Sequence, residues 1–188
     1  MTVFRQSFGE FLLILGTAAG IVVLPIEQGV GLGIALSLLH GIWSTTRARV
    51  LLFERVRGTS IWWPTSANFP GEREQGVIVG GLQAPLSFLN ADQFRRDIAA
   101  ALKSASGPVR LFVLEATGIV EIDFTAAQVL SDTINACRSL GIGFAIARLE
   151  SARAQQAIEK FGIDALIEKG RPFHSVEEAI RACRADKS

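Results

Sequence analysis

The sequence predicts an α/β domain with a mixed, mostly parallel sheet and flanking helices, preceded by a hairpin of two transmembrane helices. Two apolar runs, residues 8–26 and 30–43, open the chain and are separated by a short turn after Pro25. From residue 45 onward, short apolar segments alternate with amphipathic ones. Because strands that alternate with helices are joined by crossover connections, this region favours parallel strand pairing.

The first region has the length and the small residues of a membrane hairpin. As a helix, residues 8–26 would be about 28 Å long, close to the hydrocarbon thickness of a bilayer. The run 30–43 is shorter, so it would span only a thinned bilayer or would need neighbouring helices. Glycine and alanine in both runs permit close helix–helix contact. We therefore assign residues 1–45 to a transmembrane hairpin.

Charge places both ends of this hairpin in the cytoplasm. Arg5 precedes the first run, and the turn carries only Glu27. Four arginines follow the second run, at Arg47, Arg49, Arg55 and Arg57. The positive-inside rule then predicts a protein of the inner (plasma) membrane, with the lipid bilayer as a partner and the α/β domain and both termini in the cytoplasm.

Two other interpretations of the apolar runs stay open. A signal peptide would have an apolar segment like residues 4–23, although a second run directly after it fits poorly. The runs could also be core helices of a globular protein. Within the first run, Glu10 would either extend to the interface or mark an intramembrane functional site.

The elements of the α/β domain follow from periodicity and capping signals. Residues 46–75 are expected to be a linker with a first strand at 59–63, and residues 76–188 the cytoplasmic domain. Further strands are predicted at 76–82, 109–114 and 143–147, and helices at 91–103, 126–140, 152–161 and from 175 onward. Asn90 is expected to cap the helix predicted at 91–103, and Ser175 begins a capping-box pattern before the last helix.

Composition and motifs exclude several functions. The net charge of +1 argues against nucleic acid as a partner. Cys137 and Cys183 lack metal or redox spacing, so we expect buried thiols. There is no phosphate-binding glycine loop, and Glu115, Glu121 and Asp123 cluster without a partner base or metal. We therefore expect no enzyme activity, no catalytic or substrate-binding residues, no metal site and no resident cofactor.

Several segments resemble the STAS domain, and specifically its branch in SulP (sulfate permease) anion transporters. The unit LFVLEAT through IDFTAA, residues 111–127, is similar to the family's strand, I-D-x-[ST]-G, helix signature. APLSFLNA, residues 84–91, resembles a segment of the SulP branch, and residues 57–59 resemble its linker. The hairpin resembles the last two transmembrane helices of such transporters. Ala126 stands where the family usually has Gly, and Glu115 where Asp is common.

The resemblance implies the C-terminal portion of a secondary active, sulfate-like anion transporter. The family's anion site lies between broken helices earlier in the chain, so we expect no transport by this chain alone. The STAS domain would regulate the transport core, form a homodimer or bind nucleotide, and its partners would be the missing core helices and a regulatory protein. The alternative is a membrane-tethered STAS module that binds a protein partner, like an anti-sigma-factor antagonist.

The resemblance also marks Asp123 and Thr125 as a regulatory site or partner surface. In anti-sigma-factor antagonists the hydroxyl residue after the Asp is phosphorylated, and Thr125 occupies that position. A phosphate there would lie at a helix N-terminus, which stabilises its charge, and would repel acidic groups of a partner. Alternatively, Thr125 is simply the helix N-cap and Asp123 binds local backbone N–H groups.

Overall fold

The structure is a computed structural model that describes residues 15–20, 25–66 and 71–185. The chain divides into two compact units, residues 1–47 and 48–188. In the first unit, residues 15–20 are helical and helix α1 spans Ile26–Thr46. The rest of the first predicted transmembrane helix, including Glu10, lies outside the described residues.

Helix α1 is longer than the predicted run, because it begins at Ile26, inside the predicted turn. Glu27 lies in its first turn, and His40 interrupts its apolar C-terminal half. Among the residues that the structure describes, no helix combines the length and apolarity needed to cross a bilayer. The transmembrane character predicted for the hairpin therefore has no support in the structure.

Apolar side chains are exposed on more than one side of helix α1. Ile34, Leu38 and Ile42 follow one another at intervals of four residues and share one side. Leu32, Leu39 and Trp43 are exposed on another. A helix that is apolar all round is typical of segments covered by other helices or by lipid.

The second unit is built on a five-stranded sheet with the order β2-β1-β3-β4-β5. Its strands are β1 Val50–Arg55, β2 Trp62–Pro64, β3 Val77–Leu82, β4 Leu111–Glu115 and β5 Gly143–Ala147. Strands β3, β4 and β5 are parallel, whereas β1 pairs antiparallel with both β2 and β3. The mixed α/β sheet is confirmed, with a larger antiparallel part than predicted.

The additional antiparallel part comes from residues expected to be mostly linker. Residues 50–55, VLLFER, form β1, and the strand predicted at 59–63 is β2, Trp62–Pro64. In β1, Glu54 is buried, and its carboxylate accepts hydrogen bonds from Arg73 Nε at 2.7 Å and from the N–H of Gly71 at 3.0 Å. These bonds, that with Arg73 foremost, lower the pKa of Glu54. A buried charged residue breaks the alternation of apolar and polar residues that marks a strand. The sequence pattern therefore did not predict β1.

Helices cover both faces of the sheet. They are α2 Ala91–Lys103, α3 Phe124–Ser139, α4 Ala152–Lys160 and α5 Val176–Ala185, with short 3-10 turns at Asp164–Leu166 and Glu168–Gly170. Phe112 and Leu114 of β4 pack in the cluster shared with α2, α3 and α4. Leu111 and Val113 of the same strand pack in the cluster shared with α5. Strand β4 is thus buried on both faces, as its apolar sequence predicts.

The last helix and the cysteines are close to expectation. Ser175 Oγ accepts a hydrogen bond from the N–H of Glu178 at 3.1 Å. The Glu178 carboxylate accepts from the N–H of His174 at 3.0 Å, one residue before the position of an ideal capping box, and this bond lowers the pKa of Glu178. Cys137 and Cys183 are buried thiols, and burial raises the pKa of Cys137 to about 11.

Gly118→Ala should destabilise the second unit. A Cβ atom at Gly118 would lie 2.5 Å from the carbonyl oxygen of Leu82 and 2.7 Å from Cα of Gln83. The loop after β4 would have to move away from the end of β3, at a cost of about 1–3 kcal/mol in the free energy of unfolding. Urea denaturation of the full chain in detergent measures this change.

Gly107→Ala is the matched control for this substitution. A Cβ atom at Gly107 would meet no atom within 4 Å. The control should therefore unfold at the wild-type urea concentration or slightly above it. Equal denaturation midpoints for the two variants would contradict the packing argument.

Candidate functional site

Asp123 begins helix α3 and binds two separate parts of the chain. Its backbone is extended, with φ −82° and ψ 171°, and its Oδ1 accepts a hydrogen bond from the N–H of Ala126 at 2.8 Å. Its Oδ2 accepts a second hydrogen bond from the N–H of Phe88 at 2.7 Å. One carboxylate thus closes the first turn of the helix and holds the loop at residues 85–90.

The loops at residues 85–90 and 119–123 also pair through their backbones. The N–H of Leu86 donates to the carbonyl oxygen of Glu121 at 3.0 Å, and the N–H of Asp123 donates to that of Leu86 at 3.3 Å. Leu86 and Ile122 form an isolated parallel bridge, and both side chains are buried. The two segments that carried the family resemblance, about 35 residues apart in sequence, are therefore adjacent in space.

The buried side chain of Asn90 organises the loop at residues 85–90. Its Oδ1 accepts a hydrogen bond from the N–H of Ser87 at 3.0 Å, and its Nδ2 donates to the carbonyl oxygen of Pro85 at 2.9 Å. Asn90 occupies the N-cap position of helix α2, as predicted, but its side chain makes no cap bond to the helix. The side chain instead satisfies polar groups of the turn that precedes the helix.

Thr125 lies at the second position of helix α3, on the surface. Its side chain is exposed and makes no hydrogen bond with any residue that the structure describes. The alternative that Thr125 is the N-cap is wrong, because Asp123 is the cap. The other part of that alternative, Asp123 binding local backbone N–H groups, is correct. The Thr125 hydroxyl is therefore open to solvent.

Three exposed apolar side chains lie on helix α3 and on the two loops that meet at Asp123. The exposed fractions are 66% for Phe88, 50% for Val120 and 61% for Phe124. The Phe124 ring meets that of Phe161 edge-on, with a centroid distance of 5.8 Å. Grouped exposed apolar side chains mark interaction sites more often than isolated ones do. We call this region the cap surface and define it by Phe88, Val120, Asp123, Phe124 and Thr125.

An open groove of about 470 Å³ adjoins the cap surface. It runs between α3 and the end of α4 and is lined by Phe124, Ala127, Gln128, Ser131, Asp132 and Phe161. Its mixed polar and apolar lining suits contact with another macromolecule better than enclosure of a small ligand. Among the described parts of the chain, no group of His, Cys, Asp and Glu is arranged to hold a metal ion.

Residues 69–179 match the family model of the STAS domain. The chain belongs to the STAS domain family. A probable sulfate transporter of Mycobacterium tuberculosis is 31% identical over 186 residues, which cover 96% of this chain and 32% of that protein. Probable sulfate transporter 4.2 of Arabidopsis thaliana is 24% identical over 95% of this chain and 28% of that protein. The STAS chain thus spans about a third of the curated relatives it matches.

Solved structures agree in fold. The murine solute carrier 26 family member A9 anion transporter, in its inward-facing state, superposes with a TM-score of 0.85 at 20% identity, over 97% of this chain and 30% of that one. A "putative anti-sigma factor antagonist" from Thermotoga maritima gives 0.51 at 17% identity, over 63% of this chain and 96% of that one. Together with the transporter relatives, these similarities confirm the resemblance to the STAS part of SulP-family transporters.

The acidic residues that cluster in this STAS sequence have separate roles. Glu115 is buried at the end of β4, where its carboxylate accepts a hydrogen bond from the Thr117 hydroxyl and lies 3.6 Å from the Arg148 guanidinium. Asp123 binds backbone N–H groups, and Glu121 is exposed. The relatives are transporters and STAS domains rather than enzymes, which confirms the expectation that the chain is not an enzyme.

The sequence pattern predicted that Asp123 binds local backbone N–H groups, but it offered Thr125 as the cap and missed the contacts that hold the STAS cap surface together. The bond between Asp123 and the N–H of Phe88 joins residues 35 positions apart. The Ser151 hydroxyl, which starts helix α4, donates to the carbonyl oxygen of Val120 at 2.6 Å. A backbone donor or acceptor carries no signal in the amino-acid pattern, so neither contact could have been predicted from it.

Asp123→Ala should destabilise the STAS unit because it removes both acceptors. We expect a loss of about 1–3 kcal/mol in the free energy of unfolding, from the lost cap and the lost charge-assisted hydrogen bond to the N–H of Phe88. Thr125→Ala, two residues away, should change it by less than about 0.5 kcal/mol, because that side chain has no bond to lose. Urea denaturation compares the two, and an Asp123→Ala variant as stable as the Thr125→Ala control would contradict the assignment.

Proposed function

We propose that the chain is the regulatory STAS part of a secondary active anion transporter of the SulP type, with a sulfate-like inorganic anion as substrate. A probable sulfate transporter matches 96% of the length of this chain, at 31% identity, and this match supports the proposal. The chain spans only a third of that relative. The anion path would be formed by the other two thirds of such a transporter, on the same polypeptide or on another one.

The proposal places the chain at the plasma (inner) membrane, as a part of such a transporter. The exposed apolar side chains of helix α1 would be covered by lipid or by the transporter's core helices. Near its C-terminal end, the Arg47 guanidinium lies 4.7 Å from the centre of the Trp43 ring. Trp and Arg are typical of the membrane–water interface on the cytoplasmic side. The STAS unit that follows would then lie in the cytoplasm.

Within this role, the cap surface would be the regulatory surface. The main support for this regulatory role is the exposed Thr125 hydroxyl at the start of α3, on the same surface as the exposed Phe88, Val120 and Phe124. A phosphate on Thr125 would add about two negative charges at a helix N-terminus, which stabilises them. The same charge would oppose docking of an apolar or acidic partner.

The second candidate is a membrane-tethered STAS module that binds a regulatory protein without a transport core. The fold similarity to the Thermotoga maritima protein, of which this chain covers 96%, favours it. The similarity of α1 and its flanking residues to sulfate transporters favours the first candidate, because the Mycobacterium tuberculosis relative matches 96% of the chain rather than the STAS unit alone.

The family resemblance also implies nucleotide binding and homodimer formation, which we propose as two further properties. Calorimetric titration with ATP and GTP would test the first. Light scattering of the detergent-solubilised chain would test the second. Neither outcome changes the assignment of the cap surface.

Liposomes that contain this chain alone should take up no more radiolabelled sulfate than empty liposomes do. The reason is that the anion path would require the helices outside the matched third of the relatives. Liposomes with the full-length Mycobacterium tuberculosis relative serve as the positive control. Sulfate uptake by the chain alone, above that of empty liposomes, would refute the need for further helices.

Thr125 should carry phosphate in protein isolated from cells, and phosphopeptide mass spectrometry would detect it. In cells with the assembled transporter, Thr125→Glu should change the rate of sulfate uptake by about fivefold or more relative to Thr125→Ala. Gln156→Glu, which adds the same charge to the exposed face of α4, is the matched control and should leave uptake unchanged. Unmodified Thr125 in every preparation, with equal uptake by both Thr125 variants, would exclude regulation there.

A further inference from the structure

Asp97 of helix α2 receives three donors at the start of strand β1. Its Oδ2 accepts a hydrogen bond from the N–H of Val50 at 3.0 Å. Its Oδ1 accepts from the Arg49 guanidinium at 3.0 Å and from Nε2 of Gln93 at 2.6 Å. The Asp97 side chain is 15% exposed, whereas Arg49 is 63% exposed. A largely buried carboxylate, oriented by the preceding helical turn, thus holds the first residue of β1.

The residues that Asp97 holds lie where the STAS unit begins. The second unit starts at residue 48, so Arg49 and Val50 are among its first residues and link the rest of the unit to residues 1–47. We call these two residues the entry segment. Val50 also pairs with Leu82 at the end of β3, so the entry segment is bound by a strand on one side and by a helix on the other.

The N-terminal end of helix α2 is bound to the loop at residues 85–90, which carries Phe88 of the cap surface. Asn90 precedes the helix, and its carbonyl oxygen accepts from the N–H of Phe94 at 2.8 Å. The Asn90 side chain holds the loop whose Phe88 N–H is bound by Asp123. Asp97 lies about 9 Å further along the same helix, since each residue adds about 1.5 Å. Helix α2 therefore has hydrogen-bonded contact with the loop that carries Phe88 at one end and with the entry segment further on.

We propose that Asp97 is a positioning residue that couples the cap surface to the entry segment. A change that releases the N–H of Phe88 from Asp123 would shift the loop at residues 85–90 and helix α2. The Asp97 carboxylate would transmit this shift to Val50. Its regulatory meaning rests on the proposed function of the cap surface, whereas the contact between Asp97 and the entry segment does not.

Amide hydrogen exchange, followed by NMR on the full chain in detergent, tests the contact first. Asp97→Ala should raise the exchange rate of the Val50 amide by about tenfold or more, since a hydrogen bond to a charged acceptor is lost. Asp97→Asn keeps one oxygen acceptor and should give a smaller increase. The amide of Val113 in the buried strand β4 is the internal reference for global unfolding.

Asp92→Ala is the matched control. Asp92 lies in the same helix, but its carboxylate pairs with Arg95 and Arg96 of that helix rather than with β1. The control should leave exchange of the Val50 amide within about twofold of wild type. Equal exchange at Val50 in the Asp97→Ala and Asp92→Ala variants would overturn the assignment of Asp97.

A double-mutant cycle tests the coupling. Asp123→Ala should raise exchange of the Val50 amide in the wild-type background and should add little in the Asp97→Ala background, because the connecting contact is already lost. If Asp123→Ala raised the exchange rate of the Val50 amide by the same factor in both backgrounds, Asp97 would have only a structural role and the coupling would be refuted. The sulfate-uptake test of Thr125 is separate, so a coupled cap surface without an effect on uptake would refute the proposed regulation at Thr125 and leave the coupling intact.

Discussion

The carboxylate of Asp123 joins the elements on which the candidate site depends. It caps helix α3 through Ala126 and fixes the loop at residues 85–90 through Phe88. Charge-assisted hydrogen bonds of this kind are stronger than neutral ones. The positions of the exposed side chains of Phe88 and Phe124 therefore depend on the hydrogen bonds of one carboxylate.

The sheet provides the rigid support for that interaction. Strand β4, packed on both faces, ends at Glu115, and the loop after it passes close to the end of β3 at Gly118. The loop at residues 85–90 leaves the same end of β3. Because parallel strands β3 and β4 end at one edge of the sheet, both loops emerge together. An interaction surface built on such an edge keeps its geometry while its side chains stay exposed.

Membership of the STAS family and this geometry suit a regulatory role better than a catalytic one. The acidic side chains at the sheet edge bind an arginine or backbone N–H groups, so no carboxylate among Glu115 and Asp123 is left as a base. The exposed Thr125 hydroxyl lies where a phosphate would be stabilised by the helix N-terminus. Helix α2 then offers a hydrogen-bonded route from this surface to the entry segment, where the STAS unit joins the preceding residues.

Local pattern in the sequence determined the strands and helices of the parallel part, the buried strand β4, the absence of a catalytic motif and the family. These properties follow from periodicity, capping residues and short motifs, which neighbouring residues express together. Only the tertiary structure decided that the Asn90 side chain binds its own loop instead of the first turn of α2 and that Asp123, not Thr125, caps α3. It also decided that residues 50–55 join the sheet and that Asp97 holds the entry segment. The reason is that each depends on a backbone donor or on a partner distant in sequence, and neither leaves a trace in the local pattern.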